Sequence, residues 1–235
     1  MNVNKHPVQD FRLIVTLIVV TLCCVGVAMY LRLKSDTNMY QFLNWDIFLA
    51  WVPYIISLCI RYTFNKKVTK MTLIWMVPMS ASWLFFLPNS AYLFTEILHS
   101  FRYFDTQGET QFWINIDFWY NLTLTFAVAV LGLLLSTCSI ILIHEVLNKL
   151  VSTYINMVFV GVILLLSSLG VYIGRFNRWN SWDVLSKPGQ IIMDIVNDFT
   201  VGNSIVIEFV AIVFAIQLFA YVVVFLLTAR SRIVD

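Results

Sequence analysis

Six stretches of this sequence, about residues 11–31, 43–62, 71–87, 117–143, 154–173 and 204–227, stay apolar over nearly the length a helix needs to cross a bilayer. Inside hydrocarbon the backbone must satisfy its own polar groups, so runs of this kind fold as helices. The chain is 60% hydrophobic and only 12% charged, about half the charged share of a soluble domain. The expected fold is therefore an all-α integral membrane protein. A single membrane domain spans residues 1–235, with about six transmembrane helices and short interfacial ones.

The formal net charge of +2 gives no ground for a nucleic-acid partner, and none is expected. Cys23, Cys24, Cys59 and Cys138 all lie within apolar runs and lack zinc-site spacing, so they read as membrane-core residues. Lys5 and Arg12 precede the first apolar run as in a secretion signal. The run from Leu13 to Met29 is long, however, and no small-x-small cleavage site follows it, so it reads as the first span.

Two shorter segments suit the membrane surface. Residues 90–104 carry Glu96, His99 and Arg102 among Tyr92, Phe94 and Phe101, which is too polar a mixture to span. Pro88-Asn89-Ser90 is expected to end the third span and cap this segment. In residues 190–199, Ile191, Ile192, Ile195, Val196 and Phe199 share one helix face, while Asp194, Asn197 and Asp198 share the other. That pattern suits a helix lying on the membrane.

The most polar motif beyond an apolar run is LGVYIGRFNRWNSWDVLSKP, Leu169–Pro188. Arg175 and Arg178 are three apart and share a face if the helix continues. Trp179 and Trp182 suit the headgroup level. Asn180 and Asp183 resemble the cap of a new short helix that Pro188 and Gly189 would stop. Three readings are open: an interfacial turn whose arginines reach lipid phosphates, an anion or substrate site, and a network that locks helices together. Arginines fixed at this depth are expected to pair with acids, the candidates being Glu96, Asp117, Asp183 and Glu208.

Six spans put both termini on one side. With them lie Lys5, Arg12, Arg61, Lys66, Lys67, Lys70, Lys149, Arg230 and Arg232, against Arg32, Lys34, Arg102, Arg175, Arg178 and Lys187 opposite. Basic residues favour the cytoplasm, so both termini are expected there, in the cell membrane. This gathers a polar cluster at the outer face, namely Asn89, Arg102, Asn121, Arg175, Arg178, Asn180, Trp182, Asp183 and Glu208, and leaves His144-Glu145 alone inside. Polar groups at membrane depth are costly and usually paired or functional.

Within the outer cluster Glu96 and His99 are three apart on one helix, and Asp117 opens the next long one. Carboxylate–imidazole–carboxylate is a zinc or manganese ligand set. It is equally an acid–base set, because a carboxylate raises a neighbouring histidine's pKa. The competing reading is a structural ion-pair network with Arg102, Arg175 or Arg178. No nucleotide loop, H-E-x-x-H or G-x-S-x-G is present, and no cofactor is named by the sequence.

Three segments carry a resemblance: Ala50-Trp51-Val52-Pro53; Leu84 to Leu93, LFFLPNSAYL, with Glu96 and His99; and Gly170 to Asp183, GVYIGRFNRWNSWD. Together they resemble a family of bacterial membrane proteins of unknown function, the DUF1361 family, from about Phe42 to the last span. The resemblance implies an acid at position 96, a histidine at 99 and a Trp-Tyr-Asp element opening the following span. This chain has Trp119-Tyr120-Asn121 there, with Asp117 one turn earlier. The family implies no established activity.

The function expected is that of an envelope-associated interaction or assembly protein. Its partners would be membrane lipids and an envelope component or anionic ligand at the outer face. A membrane-embedded, metal-dependent enzyme using Glu96, His99 and Asp117 is the alternative. A small-solute transporter comes third, since it needs polar groups at the midplane, for which only Gln217 and Asn156 are candidates.

Overall fold

The structure is a computed structural model that describes residues 6–35, 40–65, 70–102, 112–179, 182–200 and 204–234. The described residues are helical, with no strand among them. In order they form α1 (His6–Ser35), α2 (Leu43–Asn65), α3 (Lys70–Tyr92), a 3-10 turn (Leu93–Ile97) and α4 (Leu98–Arg102). There follow a second 3-10 turn (Phe112–Ile114), α5 (Ile116–Leu147), α6 (Thr153–Tyr172), a π-helical turn (Ile173–Asn177), α7 (Asp183–Ser186), α8 (Pro188–Thr200) and α9 (Ser204–Val234).

Among the described residues five stretches are long and apolar enough to cross a membrane: Phe11–Ser35, Leu43–Asn65, Ile116–Leu147, Thr153–Asn177 and Ser204–Thr228. Residues of the stretch in α5 are mostly buried, whereas fewer than half are buried in each of the other four. The expected third span is the 23-residue helix α3. At about 1.5 Å per residue it has a spanning length, but it is not among the five.

The chain divides into two compact units, Met1–Phe48 with Leu93–Gly132, and Leu49–Tyr92 with Leu133–Asp235. In the first, Tyr40 is fully buried at a left-handed backbone position (φ 60) just before α2. That conformation is unfavourable for a bulky side chain. It is held by the Tyr40 hydroxyl, which donates to Asn121 Oδ1 at 2.6 Å. Between α4 and α5 the hydroxyls of Ser100 and Thr125, both buried, lie 2.5 Å apart.

The second unit has its core where Ile60, Trp83, Leu87, Ile140, Ile163, Leu164 and Tyr221 meet, bringing together α2, α3, α5, α6 and α9. Pro53 deprives α2 of a backbone donor, and nearby carbonyls take side-chain hydroxyls instead. Ser90 donates to Ala50 O at 2.6 Å, and Ser139 donates to Pro53 O at 3.1 Å while accepting from Trp83 Nε1 at 2.7 Å. Membrane helices tolerate proline on this condition. Ser152 caps α6, its Oγ accepting from Ile155 N at 3.5 Å.

Several expected boundaries move. Pro88 lies inside α3, which runs on to Tyr92, so Asn89 stands within a helix and not at the start of one. Its Nδ2 donates back to Phe86 O at 3.1 Å, in the turn just before it. The expected surface helix over 90–104 is accordingly three pieces: the end of α3, a 3-10 turn and α4. His144-Glu145 lies in the last turn of α5, which runs on to Leu147. Trp182 stands at the N-cap of α7 without a side-chain cap. Pro188 opens α8 instead of stopping a helix, as suits a residue whose missing N–H is unneeded in a first turn.

Candidate functional site

The motif around Arg175 closes on itself. After Tyr172 the helix widens into the π turn Ile173–Asn177, and the chain then reverses at Arg178, which is left-handed (φ 58, ψ 30). Two carboxylates one turn apart on α8 hold this reversal. Asp198 Oδ2 accepts from Tyr172 OH at 3.1 Å and from Asn177 Nδ2 at 3.0 Å. Asp194 Oδ2 accepts from Trp179 Nε1 at 2.9 Å. Lys187 Nζ sits 5.8 Å from the centre of the Trp179 ring, within cation–π range. On the α3 side Arg175 Nη1 donates to Tyr92 OH at 3.4 Å and lies over the same ring. Phe176 stacks on Tyr172 and meets Phe209 of α9 edge-on, both at 4.9 Å between centroids.

The same bonds explain the facing of α8. Ile191, Asp194, Ile195 and Asp198 recur at helical spacing and are buried or half-buried, whereas Ile192, Met193, Val196 and Phe199 are exposed. The inner stripe is thus mixed, with acids that bond the turn and isoleucines that pack. The apolar residues left over form the outward face. Hydrophobic spacing alone assigned Asp194 and Asp198 to the water side.

Of the two arginines expected to be buried or half-buried, Arg175 is half-buried and Arg178 is not. Arg178 is exposed and makes no ion pair among the described residues. Asp183 is half-buried in the first turn of α7, Trp182 is exposed beside it, and Glu208 is exposed near the start of α9. Asn180 and the side chain of Arg102 lie outside the described residues.

In the other unit Glu96 is buried, 2% exposed, with Oε2 3.3 Å from His99 Nε2. Three-residue spacing across the junction of the 3-10 turn with α4 brings the two together as expected. The His99 ring packs on Phe42 at 4.7 Å, and Phe42 approaches Tyr40 at 6.4 Å. Asp117 takes a different partner, Lys34 Nζ, at 2.5 Å, with both side chains nearly half exposed. Asn121 donates to the Asp117 backbone carbonyl at 2.7 Å while accepting from Tyr40. Among the described residues no three His, Cys, Asp or Glu side chains form a group that could hold a metal ion, so Glu96, His99 and Asp117 form no such set.

Four polar arrangements were missed. His144 is buried and its Nδ1 meets the Tyr221 hydroxyl, with Phe225 stacked on both rings. Arg61 and Glu145 are 3.4 Å apart. Gln217 joins α9 to α6, accepting from Ser167 Oγ at 3.0 Å and donating to Ser168 Oγ at 2.8 Å. Asn156 donates to His144 O and to Asn148 Oδ1. The two residues singled out for transport are therefore both bonded within the helices. Only the mixed polarity of these helices hinted at such bonds, since their partners lie far apart in sequence.

The family model for DUF1361, described as a protein of unknown function, matches residues 45–220, which include the three segments that carry the resemblance. The chain belongs to the DUF1361 family. Within that DUF1361 region fall the closed turn, the two acids of α8 and the Glu96–His99 pair. No curated protein and no solved structure matches the chain.

Proposed function

We propose that this DUF1361 member is a multi-pass cytoplasmic-membrane protein of the cell envelope that works by interaction, not catalysis. It would present the Arg175–Asp183 turn and α8 at the outer face, with both termini in the cytoplasm. The supporting observation is the closure of the turn. Tyr172, Asn177 and Trp179 spend their donors on Asp198 and Asp194, so the polar groups that would have to converge on a substrate are already engaged. What is offered outward is a rigid surface, with Phe176, Trp182 and Arg178 exposed beside the apolar face of α8. Exposed aromatics with arginine are the usual composition of recognition surfaces. A photo-crosslinking residue at Trp182 in intact cells should form a discrete protein adduct, and Asp198→Ala, which frees the turn, should abolish it. Adducts with lipid alone would overturn the reading.

A second reading, an acid–base centre within the membrane domain, is favoured by one observation, the buried Glu96 carboxylate 3.3 Å from His99. A buried titratable pair is the arrangement proton chemistry uses. Glu96→Gln keeps the shape and removes the acid. If a deletion phenotype is complemented by a well-folded Glu96→Gln protein, this reading fails.

A further inference from the structure

We propose that Arg178 anchors a lipid site, its guanidinium taking the headgroup phosphate of an anionic phospholipid. The inference rests on the interfacial placement of the turn proposed above, and not on the protein partner. It begins with a cost. Arg178 adopts a left-handed backbone (φ 58), a conformation glycine takes without penalty and a branched-off side chain resists. The neighbours on both sides enforce it, because Asn177 is bonded to Asp198 and Trp179 to Asp194. Yet among the described residues no ion pair ties the arginine side chain to the fold. It is exposed. Its rigid presentation is therefore available to a ligand.

Position and chemistry select that ligand. The apolar stretch Thr153–Asn177 ends one residue before Arg178, and the next begins at Ser204. A chain leaving one span and entering the next passes through the headgroup layer, where phosphates are the abundant anions. Trp182 is exposed there, as residues of the aromatic belt are. Ile192, Met193, Val196 and Phe199 of α8 are exposed together, the face an in-plane helix sinks to the acyl boundary. Guanidinium grips a phosphate through two parallel hydrogen bonds, which an ammonium cannot copy. Arg178 and Lys187 would repel the ammonium of a choline headgroup, and the two acids of α8 that hold the turn, Asp194 and Asp198, are engaged by it. A phospholipid without a compensating cation is thus the better fit.

The test uses the full chain in detergent, titrated with phosphatidylglycerol or phosphatidylcholine and read by native mass spectrometry. The wild type should bind phosphatidylglycerol preferentially. Arg178→Gly should weaken that binding about tenfold, the worth of one charge-assisted contact, while melting no lower than the wild type, since glycine suits the backbone. Arg178→Lys should fall between them, and Arg12→Ala should change nothing. A folded Arg178→Gly that binds phosphatidylglycerol like the wild type overturns the site. So does a wild type that binds both lipids alike, a result independent of any variant. Displacement of the lipid by millimolar inorganic phosphate overturns the lipid assignment. Loss of the Trp182 protein adduct with lipid selectivity intact would remove the interaction reading and leave this site standing.

Discussion

Pro88 of α3 rests against the bare Cα of Gly170 in α6. A Cβ built at position 170 would lie 2.7 Å from Pro88 Cβ, inside any real carbon–carbon contact. Small residues are how membrane helices bring their backbones close. Gly170→Ala should therefore cost about 1–3 kcal/mol by overpacking, read as lowered resistance to denaturing detergent. Gly161 lies in the same helix with nothing within 4 Å, and Gly161→Ala should be neutral or slightly stabilising. Equal effects at the two positions would refute the close approach.

Asp198 holds two donors at once, so its loss reaches further than one bond. Asp198→Ala should cost about 2–4 kcal/mol, because hydrogen bonds to a charged acceptor are the stronger kind and Tyr172 and Asn177 are left wanting. Limited proteolysis should then cut between α6 and α8 faster than in the wild type. Asp198→Asn retains an acceptor and should fall between the two. A digestion pattern unchanged by Asp198→Ala would show that the turn closes by other means.

Gln217 offers a milder case. Replacing it by leucine removes both contacts to Ser167 and Ser168, but Ser168 keeps its bond to Leu164 O at 2.8 Å. Interhelical hydrogen bonds in membranes average about 0.6 kcal/mol, and Gln217→Leu should cost no more than about 1–2 kcal/mol. A much larger loss, by reversible unfolding in bicelles, would mean that Gln217 has a further role.

The Lys34–Asp117 pair has both side chains nearly half exposed. Exposed ion pairs contribute under about 1 kcal/mol. Asp117→Asn should thus leave the melting curve nearly unmoved and should not change bound metal. Stoichiometric zinc or manganese lost on Asp117→Asn would restore the three-residue ligand set.

For orientation, cysteine at Gln107 should react with an impermeant thiol reagent in intact cells and cysteine at Lys67 should not. The expectation rests on the basic residues Arg61, Lys66, Lys67 and Lys70. The opposite pattern would invert the protein in the membrane.

The helices were legible because a bilayer asks for one simple thing, an unbroken apolar length. Helix α8 was legible as a helix by its period, and Glu96 met His99 because a spacing of three brings side chains together in 3-10 and α turns alike. What could not be read was which polar faces turn inward. Asp194 and Asp198 look solvated in a hydrophobic pattern, since spacing cannot distinguish an acid facing water from one facing Trp179 and Asn177. Tyr221 lies 77 residues from His144, a separation that leaves no local trace. Pro88 misled for a related reason: the accommodating residue, Gly170, lies on another helix.

The hold of Asp198 on the turn also sets an order of events at the ribosome. Asp198 is made 26 residues after Tyr172 and 21 after Asn177. At about 5–20 residues per second that interval lasts about 1–5 s. Throughout it the reversal at Arg178 is not latched by Asp198, its tyrosine and asparagine still without that acceptor, in the hands of the insertion machinery. The second half of the hairpin has to be synthesised before the first can latch, so a nascent chain stalled within this stretch would carry an unlatched turn.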